Sequence, residues 1–222
     1  MSDVVLLLAG GTEPGPELLA ALPTDGVSCI AADSGLDHAR ALGLRPELVV
    51  GDLDSVSPAA LAWAEAQGIP IERHPVDKAQ TDLELALARA VAQAPDRVLV
   101  AGIGGGRLDH FLANIGVLAS RRWAAVALDG WIDGARIAVV HPGRPRVLAG
   151  APGDLLSLLP INGDAVGVTV TGVAWPLDDD TLAASSSRGV SNVFTQVSVV
   201  VQVSVGTLLA VRPAPSASAT GV

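Results

Sequence analysis

Short apolar runs recur along the first part of the chain, separated by stretches in which apolar residues fall three or four apart. The runs at 4–9, 27–32, 47–50, 70–73, 97–103, 124–128 and 136–140 have the length and β-branched content of buried strands. Helical patterns lie between several of them. Ser57-Pro58 supplies a hydroxyl cap and a first-turn proline for a helix over 59–67, which Gly68 and Pro70 close. Thr81-Asp82-Leu83-Glu84 has capping-box spacing ahead of a helical pattern at 85–92, and another covers 111–120. Strands alternating with helices predict a doubly wound, mostly parallel sheet, an α/β arrangement.

The pattern changes after about His141. Pro142-Gly143, Pro145, Gly150, Pro152-Gly153 and Gly163 punctuate short apolar stretches, and no long helical period follows. Segments 166–171, 195–205 and 207–211 are rich in Val, Thr and Ser, which suits an antiparallel β-sandwich. The expected organisation is therefore an α/β domain over 1–141 and an all-β domain over 142–222. Residues from about 213 onward are Pro, Ser, Ala, Thr and Gly and read as a flexible tail.

Composition narrows the function classes. Half of the 222 residues are apolar, enough for a substantial core, and the net charge of −9 comes with no basic run. That balance disfavours nucleic acid and anionic membrane surfaces as partners. No stretch approaches the roughly 18 apolar residues of a membrane span, and the run at 4–9 lacks the basic flank of a signal segment. Cys29 is the only cysteine, which excludes an internal disulfide or a cysteine zinc site and fits a reducing cytoplasm.

The placement of the aspartates carries more information. Asp33 ends one predicted strand, Asp52 and Asp54 follow the next, Asp82 opens a capped helix, and Asp109 lies just beyond the strand ending near Ile103. In an open parallel sheet those ends share one edge, where ligands bind. Each acid alone has an ordinary explanation: Asp33-Ser34 as a helix cap, Asp82 as a partner of the helix dipole, Asp54-Ser55 as a turn. Together they crowd negative charge, and an all-oxygen, thiolate-free set is what Mg²⁺ prefers. In Asp52-Leu53-Asp54, alternate residues of an extended strand would point to one face and grip one ion.

Gly102-Ile103-Gly104-Gly105-Gly106-Arg107 sits between a strand and a helical pattern, where glycines admit a close phosphate and free N–H groups bind anions. It is neither a Walker A loop nor a dinucleotide fingerprint, and a tight strand-to-helix turn explains it equally well. His110 reads by itself as a core histidine, and no Gly-x-Ser-x-Gly elbow supports a serine hydrolase.

Several motifs in fixed order resemble the thiamine pyrophosphokinase (thiamine diphosphokinase) family. They are Ala32-Asp33-Ser34-Gly35, Val50-Gly51-Asp52-Leu53-Asp54-Ser55, Thr81-Asp82 with 83–86, and Gly105-Gly106-Arg107-Leu108-Asp109-His110 with Asn114. The match continues through Thr171-Gly172-Val173-Ala174-Trp175 and Gly189-Val190-Ser191-Asn192 and spans nearly the whole chain. The resemblance implies ATP as cosubstrate, Mg²⁺ as cofactor, thiamine as acceptor, and AMP and thiamine diphosphate as products. It also implies a homodimer whose active site joins the first domain of one subunit to the second domain of the other. On this footing Asp52, Asp54 and Asp82 are expected to hold the metal, and these three with Asp109 to be catalytic. Asp33, Lys78, Thr81, Gly105, Arg107, Asp109 and His110 are expected to bind the nucleotide.

Thiamine carries a cationic thiazolium and a flat aminopyrimidine, which an acidic site and an aromatic face such as Trp175 would hold, with Ser191 and Asn192 supplying hydrogen bonds. Without the resemblance, Trp175 reads as a sandwich-core residue. One departure stands out: the family usually has an acid three places before the residue matching Asp82, whereas this chain has Ala79 there, with Asp77 and Lys78 just upstream. The alternatives left open are a pyrophosphokinase acting on another hydroxymethyl heterocycle, such as a pterin, and a non-catalytic nucleotide- or metabolite-binding protein.

Overall fold

A computed structural model of the protein describes residues 3–214. The predicted tail from 213 therefore lies mostly outside the described residues, as do the first two residues of the chain. Two compact units emerge, one from residues 1–117 and 126–133, the other from 118–125 and 134–222.

The first unit contains β1 (Val4–Leu8), α1 (Glu17–Ala20), β2 (Val27–Ala32), α2 (Gly35–Ala41), β3 (Leu48–Gly51), α3 (Pro58–Ala66), β4 (Ile71–Arg73), α4 (Asp82–Ala92), β5 (Arg97–Ala101), α5 (Leu108–Leu118) and β6 (Ala127–Ile132). α5 continues one residue into the second unit. The six strands pair in parallel, in the order β6-β5-β1-β2-β3-β4. β1 is central and fully buried, as its unbroken Val-Val-Leu-Leu-Leu run requires of a strand covered on both faces. Leu6 and Leu8 pack with Leu18 of α1 and Ala39 of α2, while Ala60 and Ala64 of α3 pack with Ala31 and Val49. The pleat sends Val5 and Leu7 to the other face, and α4 lies against β1, β2 and β3.

The cap signals are realised. The Ser57 hydroxyl accepts from the Ala60 N–H at 3.1 Å, and the Thr81 hydroxyl from the Glu84 N–H at 3.3 Å. The strand expected at 124–128 begins later, because the Ser120 hydroxyl caps a 3-10 turn at Arg121–Trp123 and delays β6 to Ala127.

The second unit contains β7 (Ala135–Val140), β8 (Arg146–Ala149), β9 (Leu155–Pro160), β10 (Ala165–Thr171), β11 (Leu177–Leu182), β12 (Asn192–Val193), β13 (Ser198–Gln202) and β14 (Leu208–Arg212). β7 pairs antiparallel with β14, β14 with β9 and β9 with β12. A four-stranded sheet follows the order β11-β10-β13-β8. One core joins the layers: Val140, Leu156 and Leu208 from the first, Val168, Val170, Val199 and Val201 from the second, with Phe194. This is the antiparallel sandwich that the Val- and Thr-rich segments predict. The sequence reading divides the chain at 141/142, whereas β7 groups with the second unit, in which it pairs antiparallel with β14.

Candidate active site

In the first unit the chain runs from β1 outward to β4 and returns through α4 to β5, on the other side of β1. The strand order therefore reverses between β1 and β5, and the carboxyl-end crevice at such a switch point is where open α/β sheets bind ligands. A crevice of about 510 Å³ opens there. Its floor is backbone from Ala9-Gly10-Gly11 after β1 and Gly102-Ile103 after β5. The Gly11 N–H donates to the Gly102 carbonyl at 2.6 Å and the Thr12 N–H to the Gly104 carbonyl at 2.7 Å. Gly102 has φ +74°, and a Cβ there would run into the Ala9 carbonyl oxygen, so this approach requires glycine.

Three carboxylates meet on the crevice wall. Asp33, Asp52 and Asp54 each present one oxygen, all within 4.8 Å of one another. Asp33 follows β2 with φ +48°, a costly conformation for a non-glycine residue, and its N–H donates to the Val50 carbonyl at 2.9 Å. Its Oδ1 is buried with no hydrogen-bond partner among the described residues. Burial, followed by the charges of Asp82, Asp52 and Asp54, raises the Asp33 pKa against the pull of the Ser34 backbone N–H. The Asp33-Ser34 pair does not cap α2 through a side chain, so the capping explanation for Asp33 falls away.

Asp52 and Asp54 come together by a different route from the extended strand that the sequence suggests. β3 ends at Gly51, and buried Leu53 adopts φ +66°, turning the backbone so that the Asp54 N–H reaches Asp52 Oδ1 at 3.3 Å. A turn thus does what strand alternation was expected to do.

Asp82 begins α4 and faces Lys78. The Lys78 ammonium lies 2.6 Å from Asp52 Oδ2 and 3.2 Å from Asp82 Oδ1. The hydrogen bond from Lys78 lowers the Asp52 pKa against a smaller desolvation effect. For Lys78 itself, burial pulls the pKa down, and its bonds to Asp52 and Asp82 outweigh that to give a net rise. The expected metal set of Asp52, Asp54 and Asp82 is therefore split: the first two join Asp33, and the third shares Lys78 with Asp52. Asp77, the neighbouring acid, is exposed and off the crevice wall.

The glycine-rich turn brings Gly105, Arg107 and His110 to the crevice, together with Asn114. His110 is exposed, which removes the core-histidine explanation. Asp109 does not line the crevice. It pairs with Arg107 at 2.6 Å near the surface, and that hydrogen bond lowers its pKa to about 2. Thr81 lines the crevice while its hydroxyl caps α4. The reading of the sequence missed Gly10, Gly11, Ser34 and Gln80, which also line it. A glycine pair directly after the first strand was the available signal.

In the second unit, Trp175 follows β10 and is 63% exposed, so the core explanation for it fails. Buried Asn192 fixes its backbone: the Trp175 N–H donates to Asn192 Oδ1 at 3.1 Å, and the Asn192 amide donates to the Trp175 carbonyl at 2.7 Å. Asn192 Oδ1 also accepts from the Val193 N–H at 2.9 Å. Ser191 has φ +63°, and its N–H donates to the Ser157 hydroxyl at 3.1 Å. Asn192 thus directs its amide to the tryptophan's backbone.

The residues present fit a hard divalent cation. The donors are all carboxylate oxygens, three of them close together, and one buried oxygen lacks a partner. Fold and crevice define a class: a two-part chain with an α/β unit carrying an acidic, glycine-floored crevice, followed by a β-sandwich that displays an aromatic ring.

Residues 24–127 match the family Thiamin pyrophosphokinase, catalytic domain, and residues 146–208 match Thiamin pyrophosphokinase, vitamin B1 binding domain. The chain belongs to the thiamin pyrophosphokinase family. It is 29% identical over 163 residues to Thiamine pyrophosphokinase of Bacillus subtilis (strain 168), covering 73% of this chain and 76% of that one. It is 28% identical to Thiamine pyrophosphokinase 2 of Oryza sativa subsp. japonica, covering 71% of this chain and 61% of that one. The crystal structure of Thiamine pyrophosphokinase from Bacillus subtilis superposes with a TM-score of 0.83 at 26% identity, covering 96% and 99% of the two chains. Thiamin pyrophosphokinase from Candida albicans, at 15% identity, shares the fold with a TM-score of 0.78, covering 94% of this chain and 89% of that one.

Proposed function

We propose that this chain transfers the pyrophosphoryl group of ATP, bound with Mg²⁺ in the acidic crevice, to the hydroxyl of thiamine, giving thiamine diphosphate and AMP. The observation that carries the reading is the convergence of Asp33, Asp52 and Asp54 at the switch point of a chain in this family.

In the reaction the thiamine oxygen forms a bond to the β-phosphorus, and the bond from that phosphorus to the oxygen it shares with the α-phosphate breaks, releasing AMP. The hydroxyl proton goes to a carboxylate, with Asp54 and Asp82 the candidates. Asp33, Asp52 and Asp54 would hold Mg²⁺, which supplies charge neutralisation for the phosphates when bound. Asp82 stays on the far side of Lys78 as a further metal-linked or catalytic acid. Lys78 and Arg107 are candidate phosphate contacts, and the Gly102-to-Gly106 turn offers backbone N–H groups to phosphate oxygens. Thr81 and His110 border the same space, and Asp109 acts at most through Arg107.

For thiamine, the exposed Trp175 ring supports stacking on the aminopyrimidine or on the thiazolium cation. Asn192 serves by fixing the Trp175 backbone. The partners are ATP, thiamine and a second copy of this chain. A homodimer is supported by α5, which leaves Leu108 and Leu112 more than half exposed, and by the exposed ring of Trp175, apolar surface that a second copy would cover. We place the enzyme in the cytoplasm, the reducing compartment that its single cysteine fits.

The test is AMP release measured with thiamine, with a hydroxymethylpterin and with no acceptor. Thiamine-dependent AMP is the expected result. Release that follows the pterin, or no release with any acceptor, would overturn the assignment.

A further inference from the structure

The chain contains one lysine among its 222 residues, against thirteen arginines. That lysine is Lys78, and it lies inside the crevice between Asp52 and Asp82, with its side chain 13% exposed and theirs 10% and 20%. Every other basic side chain is a guanidinium or an imidazole. The position between two carboxylates is filled by the one compact ammonium available, a point charge that offers donors in any direction and exchanges partners more freely than a planar fork.

The same carboxylate, Asp52, is shared. Its Oδ2 is taken by Lys78, while an oxygen of the same group belongs to the cluster with Asp33 and Asp54. A cation entering that cluster meets a fixed positive charge on one of its own ligands. Like charges at such range repel strongly in a half-buried site. Nucleotide phosphates supply what the carboxylates supply now, a dense set of anionic oxygens for the ammonium.

We propose that Lys78 is a resident counter-ion of the nucleotide-free crevice, which holds Asp52 and Asp82 until ATP phosphates take up its ammonium, so that the cation binds productively only together with nucleotide. The inference rests on the reading of the crevice as a site for metal-bound ATP. Ala79, next to Lys78, stands exposed and adds no charge to the two acids that Lys78 bridges.

The test uses the whole chain and Mn²⁺, a paramagnetic substitute for Mg²⁺, titrated without nucleotide and followed by electron paramagnetic resonance. Lys78→Met and Lys78→Gln should bind Mn²⁺ on the order of 10- to 100-fold more tightly than the unmodified chain, the scale of removing one neighbouring unit charge after screening. Lys78→Arg should not, because its charge remains. Melting transitions should rise with Mn²⁺ alone in the two neutral variants and stay unmoved in the unmodified chain.

If both neutral variants fail to fold, the unmodified chain decides. Because Lys78 is the only lysine, amine acetylation read by mass spectrometry reports it apart from the N-terminal amine. Its rate should be indifferent to Mn²⁺ alone and should change when a non-hydrolysable ATP analogue is added with Mn²⁺ and draws the ammonium from Asp52 and Asp82. Equal Mn²⁺ affinity in the neutral variants and the unmodified chain would overturn the inference, as would, when acetylation decides, a rate that rises with Mn²⁺ alone or one that the ATP analogue leaves unchanged. If a non-hydrolysable ATP analogue still recruits Mn²⁺ to the unmodified chain in that case, the nucleotide reading survives. If it recruits none, both readings fall.

Discussion

In the first unit, Asp33, Asp52 and Asp54 converge with oxygens within 4.8 Å, and one lysine offsets part of the charge. In the second unit, the buried polar side chains are neutral: Asn192, Thr207 and His141, whose ring burial holds below its usual pKa. The first concentrates repulsion at one edge, with φ +48° at Asp33 and φ +66° at Leu53 adding backbone strain. The second spends its buried Asn192 on its own backbone, pairs Thr207 with His141, and leaves an aromatic ring in solvent. Unrelieved charge suits a ligand that arrives with a cation, and an exposed ring on a rigid backbone suits a flat one. Each unit keeps a cost that its own ligand would remove.

The contrast predicts that substitutions in the two units separate chemistry from acceptor binding. Asp52→Asn or Asp54→Asn should lower kcat on the order of 10²- to 10³-fold, the scale of losing one electrostatic stabiliser, while the melting temperature holds in Asp54→Asn and falls modestly in Asp52→Asn, which loses its ion pair with Lys78. Steady-state kinetics beside calorimetry checks this, and undiminished activity in both variants would erase the contrast.

Trp175→Ala should instead raise KM for thiamine, by the equivalent of roughly 1–3 kcal/mol on the scale of base–aromatic stacking, with little change in stability. Trp175→Phe should recover part of it. A large stability loss with normal thiamine binding by the folded fraction would show the ring to be structural.

Asn192→Ala sharpens the point, because it leaves the ring and removes its anchor. It should cost about 1–3 kcal/mol of stability, the cost of leaving buried partners unsatisfied, together with a KM rise smaller than that of Trp175→Ala. Chemical denaturation and thiamine titration read the two effects separately.

The smallest effect concerns His141. Burial, followed by the charges of Arg121, Arg144 and Arg146, holds its pKa below the 6.5 usual for histidine. The unfolded chain therefore binds more protons once pH falls through 6.5, so this group's contribution is full above that value and declines below it. Stability of the unmodified chain should fall as pH is lowered from 7 to 5, and His141→Gln should make that slope shallower.

Much of this was legible in the residues. The β1 run, the Ser57 and Thr81 caps and the acids after β2 and β3 follow from periodicity and end signals, which local sequence carries. β11 was not legible, because Leu177-Asp178-Asp179-Asp180 reads as a loop; an edge strand with water on one side tolerates those acids. The turn at Leu53 was hidden too, since a left-handed leucine has no propensity signature and is held by the burial of its side chain. Lys78 was visible as a residue but not as a bridge, since its partners lie 26 residues before it and four after it. The exposure of Trp175 was the hardest to read, because a tryptophan beside a Val- and Thr-rich strand has the local pattern of a core residue.

The central claim is transfer of a pyrophosphoryl group in one step from cation-bound ATP. Phosphorus NMR of a reaction with ATP, Mg²⁺ and thiamine tests it most directly. The account predicts AMP and thiamine diphosphate in equal amounts, no ADP, and complete loss of both products under excess chelator with recovery on adding Mg²⁺. ADP with thiamine monophosphate, or undiminished turnover in excess chelator, would contradict it.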